Sequence, residues 1–175
     1  LKSTAGVRLF GGGYLAANDP PLQRRIMLAG ADPYETFTNP LLRSKGALFV
    51  RPDFHYHAPG SANLRAFSPE LGGRWALGAN LEATRTLGLP EHAALEVFFD
   101  AGVVDSQAVP SAPAGKSYTT LYDGGVGRVT RHRINELGWT MRFEMPFLVN
   151  RWDHAAAGTT DRVAFRWQVS LEPSF

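Results

Sequence analysis

The sequence predicts an all-β fold, an antiparallel transmembrane β-barrel with about eight strands in this chain. Three observations predict it. Apolar and polar residues alternate with a period of two over segments of 10–14 residues, against about 5–6 for a typical soluble strand. The 18 glycines and 12 prolines punctuate these segments, and no convincing amphipathic helical stripe interrupts them. The connections are of two kinds, short turns and long loops, as a barrel with two unlike ends requires.

The elements follow in chain order. Segments near 3–15, 22–31 and 45–57 are strands of weaker pattern, and Pro52 marks a bulge or an edge in the third. In 73–86, Trp75, Leu77, Ala79, Leu81 and Ala83 alternate with Arg74, Ala76, Gly78, Asn80, Glu82 and Thr84. In 93–104, Leu95, Val97, Phe99, Ala101 and Val103 oppose Glu96, Phe98, Asp100 and Gly102. The strand 117–129 carries Gly124, Gly125 and Gly127. In 137–150, Trp139, Met141, Phe143, Met145, Phe147 and Val149 oppose Thr140, Arg142, Glu144, Pro146, Leu148 and Asn150. The last strand, 162–175, is the most regular: Val163, Phe165, Trp167, Val169, Leu171, Pro173 and Phe175 share one face. The links at 87–91 and 134–136 are short. Those at 32–44 and 105–116 are long and rich in small and turn-forming residues, and 150–161 is intermediate.

Alternation leaves open which face is buried. In a soluble sandwich the apolar face is the core; in a membrane barrel it meets lipid and the polar face lines the lumen. Strand length favours the membrane. So do aromatic residues near strand ends (Trp75, Tyr118, Trp139, Trp152), where an interfacial girdle lies. Charged residues also recur on the polar faces (Arg74 and Glu82, Glu96 and Asp100, Arg142 and Glu144, Arg166 and Glu172), where a lumen could pair them.

Composition narrows the function. Charged residues are 19% of the chain, below the roughly 25% of average domains. The absence of cysteine removes disulfide and thiolate-metal frameworks. The net charge of +2 comes from dispersed basic residues, so no nucleic-acid partner is expected. No run of 18 apolar residues encodes a membrane helix, a test to which β-barrels are blind. The start at Leu1-Lys2-Ser3-Thr4 predicts a processed chain or part of a longer one.

Chemical motifs are weak. Gly115-Lys116-Ser117 ends like a phosphate-binding loop, but Pro110 stands where that loop needs glycine, and a strand follows. Gly124-Gly125-Val126-Gly127 lies in no βα unit. His55 and His57 share a strand face, yet no second ligand pair accompanies them, so no metal is expected. His132 and His154 fall in turn or loop regions. No Gly-x-Ser-x-Gly or His-Glu-x-x-His occurs, and no cofactor or catalytic residue is expected.

Two segments carry a resemblance. Leu64-Arg65-Ala66-Phe67 follows Pro59-Gly60-Ser61, and Phe98-Phe99-Asp100-Ala101-Gly102 lies on a strand downstream. In this order they resemble the bacterial surface antigen superfamily of outer-membrane barrels, which includes the BamA-type assembly factors and the two-partner-secretion transporters. In that family an apolar-Arg-Gly-aromatic motif tips a long loop that folds back into the barrel. Its arginine meets a Phe-x-Asp-x-Gly strand motif inside the lumen.

The resemblance implies that Arg65 and Phe67 lock onto Phe98, Asp100 and Gly102. The chemistry is sound in itself: an arginine in a confined lumen needs a carboxylate or carbonyl, and a glycine beside the aspartate admits a close approach. The chain would then comprise upstream strands and loop (1–59), an inward-folding loop (60–72) and the last five strands (73–175). The stretch from Arg142 to Phe147 resembles the penultimate strand. Phe165, Trp167, Val169 and the terminal Phe175 resemble the signal read by the assembly machinery.

Because the family barrel has 16 strands, this would be its C-terminal half. Ala66 stands where the family has glycine, Pro173 sits near the end, and upstream periplasmic repeat domains are missing. The implied role is outer-membrane protein assembly, insertion or polypeptide translocation, or membrane anchoring. Its partners would be the lipid bilayer, the assembly machinery and a polypeptide client. Two alternatives remain: a soluble β-sandwich binding a ligand or partner, and an enzyme whose catalytic domain lies upstream.

Overall fold

The structure is a computed structural model that describes residues 2–15, 20–21, 25–29, 62–67, 72–88, 93–105, 117–134, 137–150 and 161–174. Among these residues eight strands form two sheets: β1 (Ser3–Gly13), β2 (Ile26–Met27), β3 (Gly72–Gly73), β4 (Trp75–Thr86), β5 (Ala94–Asp105), β6 (Tyr118–Ile134), β7 (Leu137–Val149) and β8 (Gln168–Ser174). The main sheet is six-stranded in the order β1-β4-β5-β6-β7-β8; β2 and β3 pair separately. All pairings are antiparallel. Among the described residues the sheet is open, with β1 and β8 as its edges.

Most of the expected strands are present with small shifts, and three differ. Of the expected strand 22–31, the described residues form a strand at Ile26–Met27. β6 runs on to Ile134, and the last strand begins at Gln168 rather than near 162. The cause of the late start lies on β7. Antiparallel register sets Glu144 opposite Gln168, so the next rung falls between Pro146 and Arg166, and Pro146 has no N–H to donate. The register of β6 with β7 shifts in this same region, between Gly124 and Val126. Proline in a sheet belongs at such an irregularity. Residues 161–167 still follow β7 through single hydrogen bonds, Val149 N to Arg162 O (2.9 Å) and Ala164 N to Phe147 O (3.1 Å). The expected strand at 45–57 and the long loops at 32–44 and 106–116 lie outside the described residues.

The two ends of the sheet differ. β4 and β5 are joined by a turn at 87–93, in which Gly88 has φ +68°, a left-handed conformation that glycine adopts without cost. β6 and β7 form a hairpin with only 135–136 between them. The long connections are all at the other end.

The two faces of the sheet are inverted relative to a soluble protein. On β5, Glu96 is 1% exposed and Asp100 0%, while Val97 on the opposite face is 59% exposed. The same parity runs across the sheet. Val7, Leu9, Leu77, Leu81, Leu95, Phe99, Tyr122, Val126, Phe143 and Phe147 are exposed, whereas Asn80, Asp123, Thr140, Glu144, Gln168 and Ser170 are buried. What covers the polar face is the chain itself. Residues 26–29 and 62–67 lie against it, tied by Ala62 N to Met27 O and Leu64 N to Leu28 O. At the long-loop end Leu28, Ala29, Ala62, Leu64 and Phe67 pack on Ala76, Val104, Leu121 and Val149 in a small apolar core.

Candidate functional site

The inward segment 62–67 ends a long excursion and turns through Asn63, whose φ of +53° is left-handed; asparagine tolerates this better than other side-chain-bearing residues. Its approach to the wall is close. A Cβ on Gly78 would stand 2.7 Å from Ala62 Cβ, and one on Gly102 would stand 2.8 Å from Leu28 and 3.0 Å from Leu64. Asn80 on β4 fastens the turn: its Nδ2 donates to the carbonyls of Ala62 (3.1 Å) and Asn63 (3.2 Å) and to Asp100 Oδ1 (3.0 Å).

Arg65 then enters a nest of carboxylates. Its Nη1 is 2.8 Å from Glu96 and 3.2 Å from Glu144, its Nη2 3.1 Å from Glu82, and its Nε 3.4 Å from Asp100. The guanidinium carbon lies 4.2 Å from the centre of the Phe98 ring, within cation–π range. A second guanidinium shares the acids: Arg142 Nη1 is 3.1 Å from both Glu82 and Glu96. Gln168 on β8 donates to Glu144 (2.9 Å). Next to this cluster the Ala66 N–H donates to Asp123 Oδ2 at 3.3 Å.

Arg65 is thus a planar, five-donor fork serving carboxylates on β4, β5 and β7 at once. Burial alone would lower its pKa; Glu144, Asp100, Glu96 and Glu82 outweigh that and hold it above the ordinary arginine value. It stays charged at every accessible pH.

The residues singled out in the sequence fall into four groups. Arg65, Phe98 and Asp100 are brought into contact, and Gly102 lies under Leu64 on the same face. Phe67 packs in the apolar core. Phe165 is exposed, and Trp167 and Val169 share its parity beside β7, with Trp167 6.2 Å from the Phe143 ring. Phe175 lies outside the described residues, as do His55, His57 and His154. The motif did not point to Glu82, Glu96, Asp123, Arg142 or Glu144. Their one signal was position: each occupies the polar parity of its strand.

Between the inward segment and the strands β1, β4, β7 and β8 lies a cleft of about 540 Å³, lined by Arg8, Asn63, Arg65, Glu82, Arg142 and Glu144 among others. Among the described residues no group of three or more His, Cys, Asp or Glu side chains is placed to hold a metal ion. The site can bind and position. No protein family, no curated protein and no solved structure matches this chain.

Proposed function

We propose that this chain forms part of the wall of an outer-membrane β-barrel of the surface-antigen type. In this reading it serves in outer-membrane protein assembly, insertion or polypeptide translocation, or as the membrane anchor of a longer protein. The observation that carries the reading is the inversion of the sheet: large apolar side chains on β1, β4, β5, β6 and β7 face outward, and the carboxylates with Arg65 and Arg142 face inward. Water would penalise such an outer face, and a patch spanning five strands far exceeds what soluble monomers expose. Lipid would not penalise it, and a lumen accommodates the polar side.

Strand length supports the same reading. β4 and β5 have 12 residues each and β7 has 13, enough for a tilted crossing that takes about 9–11. The inward segment is further support. An eight-stranded barrel has room inside for side chains or one small ligand, so a wall that encloses a folded-back segment fits a wider one. Arg65 and its carboxylates then fix that segment in the lumen, and the role is mechanical rather than catalytic.

A semi-native gel of the native protein from isolated membranes tests this. A band well above 19.1 kDa that runs faster unboiled than boiled is the expected result. The same shift at the chain's own mass would leave a small stand-alone barrel and remove the assembly role. A soluble protein with no shift would overturn the membrane reading and make the apolar face the core of a sandwich.

A further inference from the structure

Basic residues that are scattered in the sequence gather at one end of the sheet. Register runs Ser3–Arg85–Leu95–Arg128–Phe143 from β1 to β7. Arg85 and Arg128 therefore share the outward apolar face, one strand apart, with Leu95 between them. Both are exposed, as are Lys2, Arg131 and Arg133 at the same short-turn end. Among the described residues no exposed acid lies there. Glu91 and Glu136 of the two turns and Glu172 of β8 still leave basic residues in excess. Above this rim the outward face is apolar, and beside it His132 stacks on Trp139 with ring centres 4.3 Å apart.

We infer that this rim, and Arg85 with Arg128 in particular, binds the phosphate headgroups of anionic glycerophospholipids in the leaflet at the short-turn end. The inference rests on the membrane reading above. The argument is one of continuity and charge. An arginine in the middle of a lipid-facing strand is costly, whereas near the interface its long stem lies along apolar surface and its guanidinium reaches the headgroups. Two exposed guanidinium groups flanking one leucine set two positive charges at the level of the phosphates. Lys2, Arg131 and Arg133 add a field of the same sign, and each basic residue at such a surface enriches anionic lipid. An acidic protein partner would need the outward face clear of lipid, which its apolar character opposes.

The test reconstitutes the full-length protein into phosphatidylcholine vesicles carrying equal fractions of brominated phosphatidylcholine or brominated phosphatidylglycerol. Tryptophan quenching is the readout, with Trp139 beside the rim. Preferential quenching by phosphatidylglycerol is expected, with local enrichment of roughly fivefold for each arginine engaged, falling as salt is raised. Arg85→Gln with Arg128→Gln should abolish the preference, and Arg85→Lys with Arg128→Lys should keep most of it. The gel shift of each variant reports whether the barrel still forms; if the glutamine pair fails to form it, the single Arg128→Gln variant takes its place. Equal quenching by the two lipids overturns this inference and leaves the barrel intact. Failure to insert into either vesicle overturns the barrel and the inference together.

Discussion

Removing the Arg65 guanidinium would leave Glu82, Glu96, Asp100 and Glu144 facing one another where little water reaches. Deleting one partner of a buried ion pair costs about 3–5 kcal/mol, and here Asp100 and Glu144 lose their cation while Glu82 and Glu96 keep Arg142. Arg65→Ala should therefore lower the temperature at which the folded band is lost on a semi-native gel, and by more than Asp100→Ala, because Asp100 is one of the four carboxylates that Arg65 holds. Arg65→Lys should fall between parent and alanine variant, since one ammonium cannot reach β4, β5 and β7 at once. If Arg65→Ala and Asp100→Ala both assembled and resisted heat like the parent, the lock would not exist. The glycines offer a second comparison at this scale. A Cβ on Gly102 meets the ends of flexible leucine side chains, whereas one on Gly125 would run into the backbone carbonyl oxygen of Met145. Gly125→Ala should thus destabilise by about 1–3 kcal/mol, and Gly102→Ala by less, as read by denaturant midpoints in detergent.

At the scale of the strand, the period-two pattern located β4, β5 and β7 to within a few residues because each alternates strictly and ends at a turn. It failed at β8 for a stated reason: polarity continues to alternate through 163–167, but hydrogen bonding depends on the partner strand, and Pro146 interrupts it. It could not choose between inside and outside, since alternation is symmetric until another element covers one face. The site was legible to a similar degree. Arg65 and Asp100 were visible as two short motifs and Glu96 shares the strand and face of Asp100, whereas Glu82, Glu144 and Asp123 meet them only through cross-strand register. The face assignment has a direct test. Val97→Arg on the outward face of β5 should cost about 2–4 kcal/mol if that strand crosses lipid near the midplane. An exposed position in a soluble sheet would tolerate the change within about 0.5 kcal/mol. Folding into vesicles under a urea titration separates the two.

For the molecule as a whole the open edges carry the consequence. β1 has 11 residues, pairs on one side with β4, and has no strand on its other side among the described residues. In water such an edge is tolerable, though prone to unwanted pairing. In hydrocarbon every unpaired N–H and carbonyl costs several kcal/mol, so a membrane wall closes on itself. If the sheet sits in lipid, another strand must cover β1, and the lumen must be wide enough for the segment 62–67 and its carboxylates. Amide hydrogen exchange on the membrane-embedded protein reads this directly. The amides of β1 should be protected to the same degree as those of β5, which has partners on both sides. Alternate amides of β1 exchanging within minutes while β5 stays protected would mean that the edge is wet, and the continuous wall would have to be given up. Protection along all of β1 would mean the wall continues past it, leaving the Arg65 cluster fully inside a closed lumen.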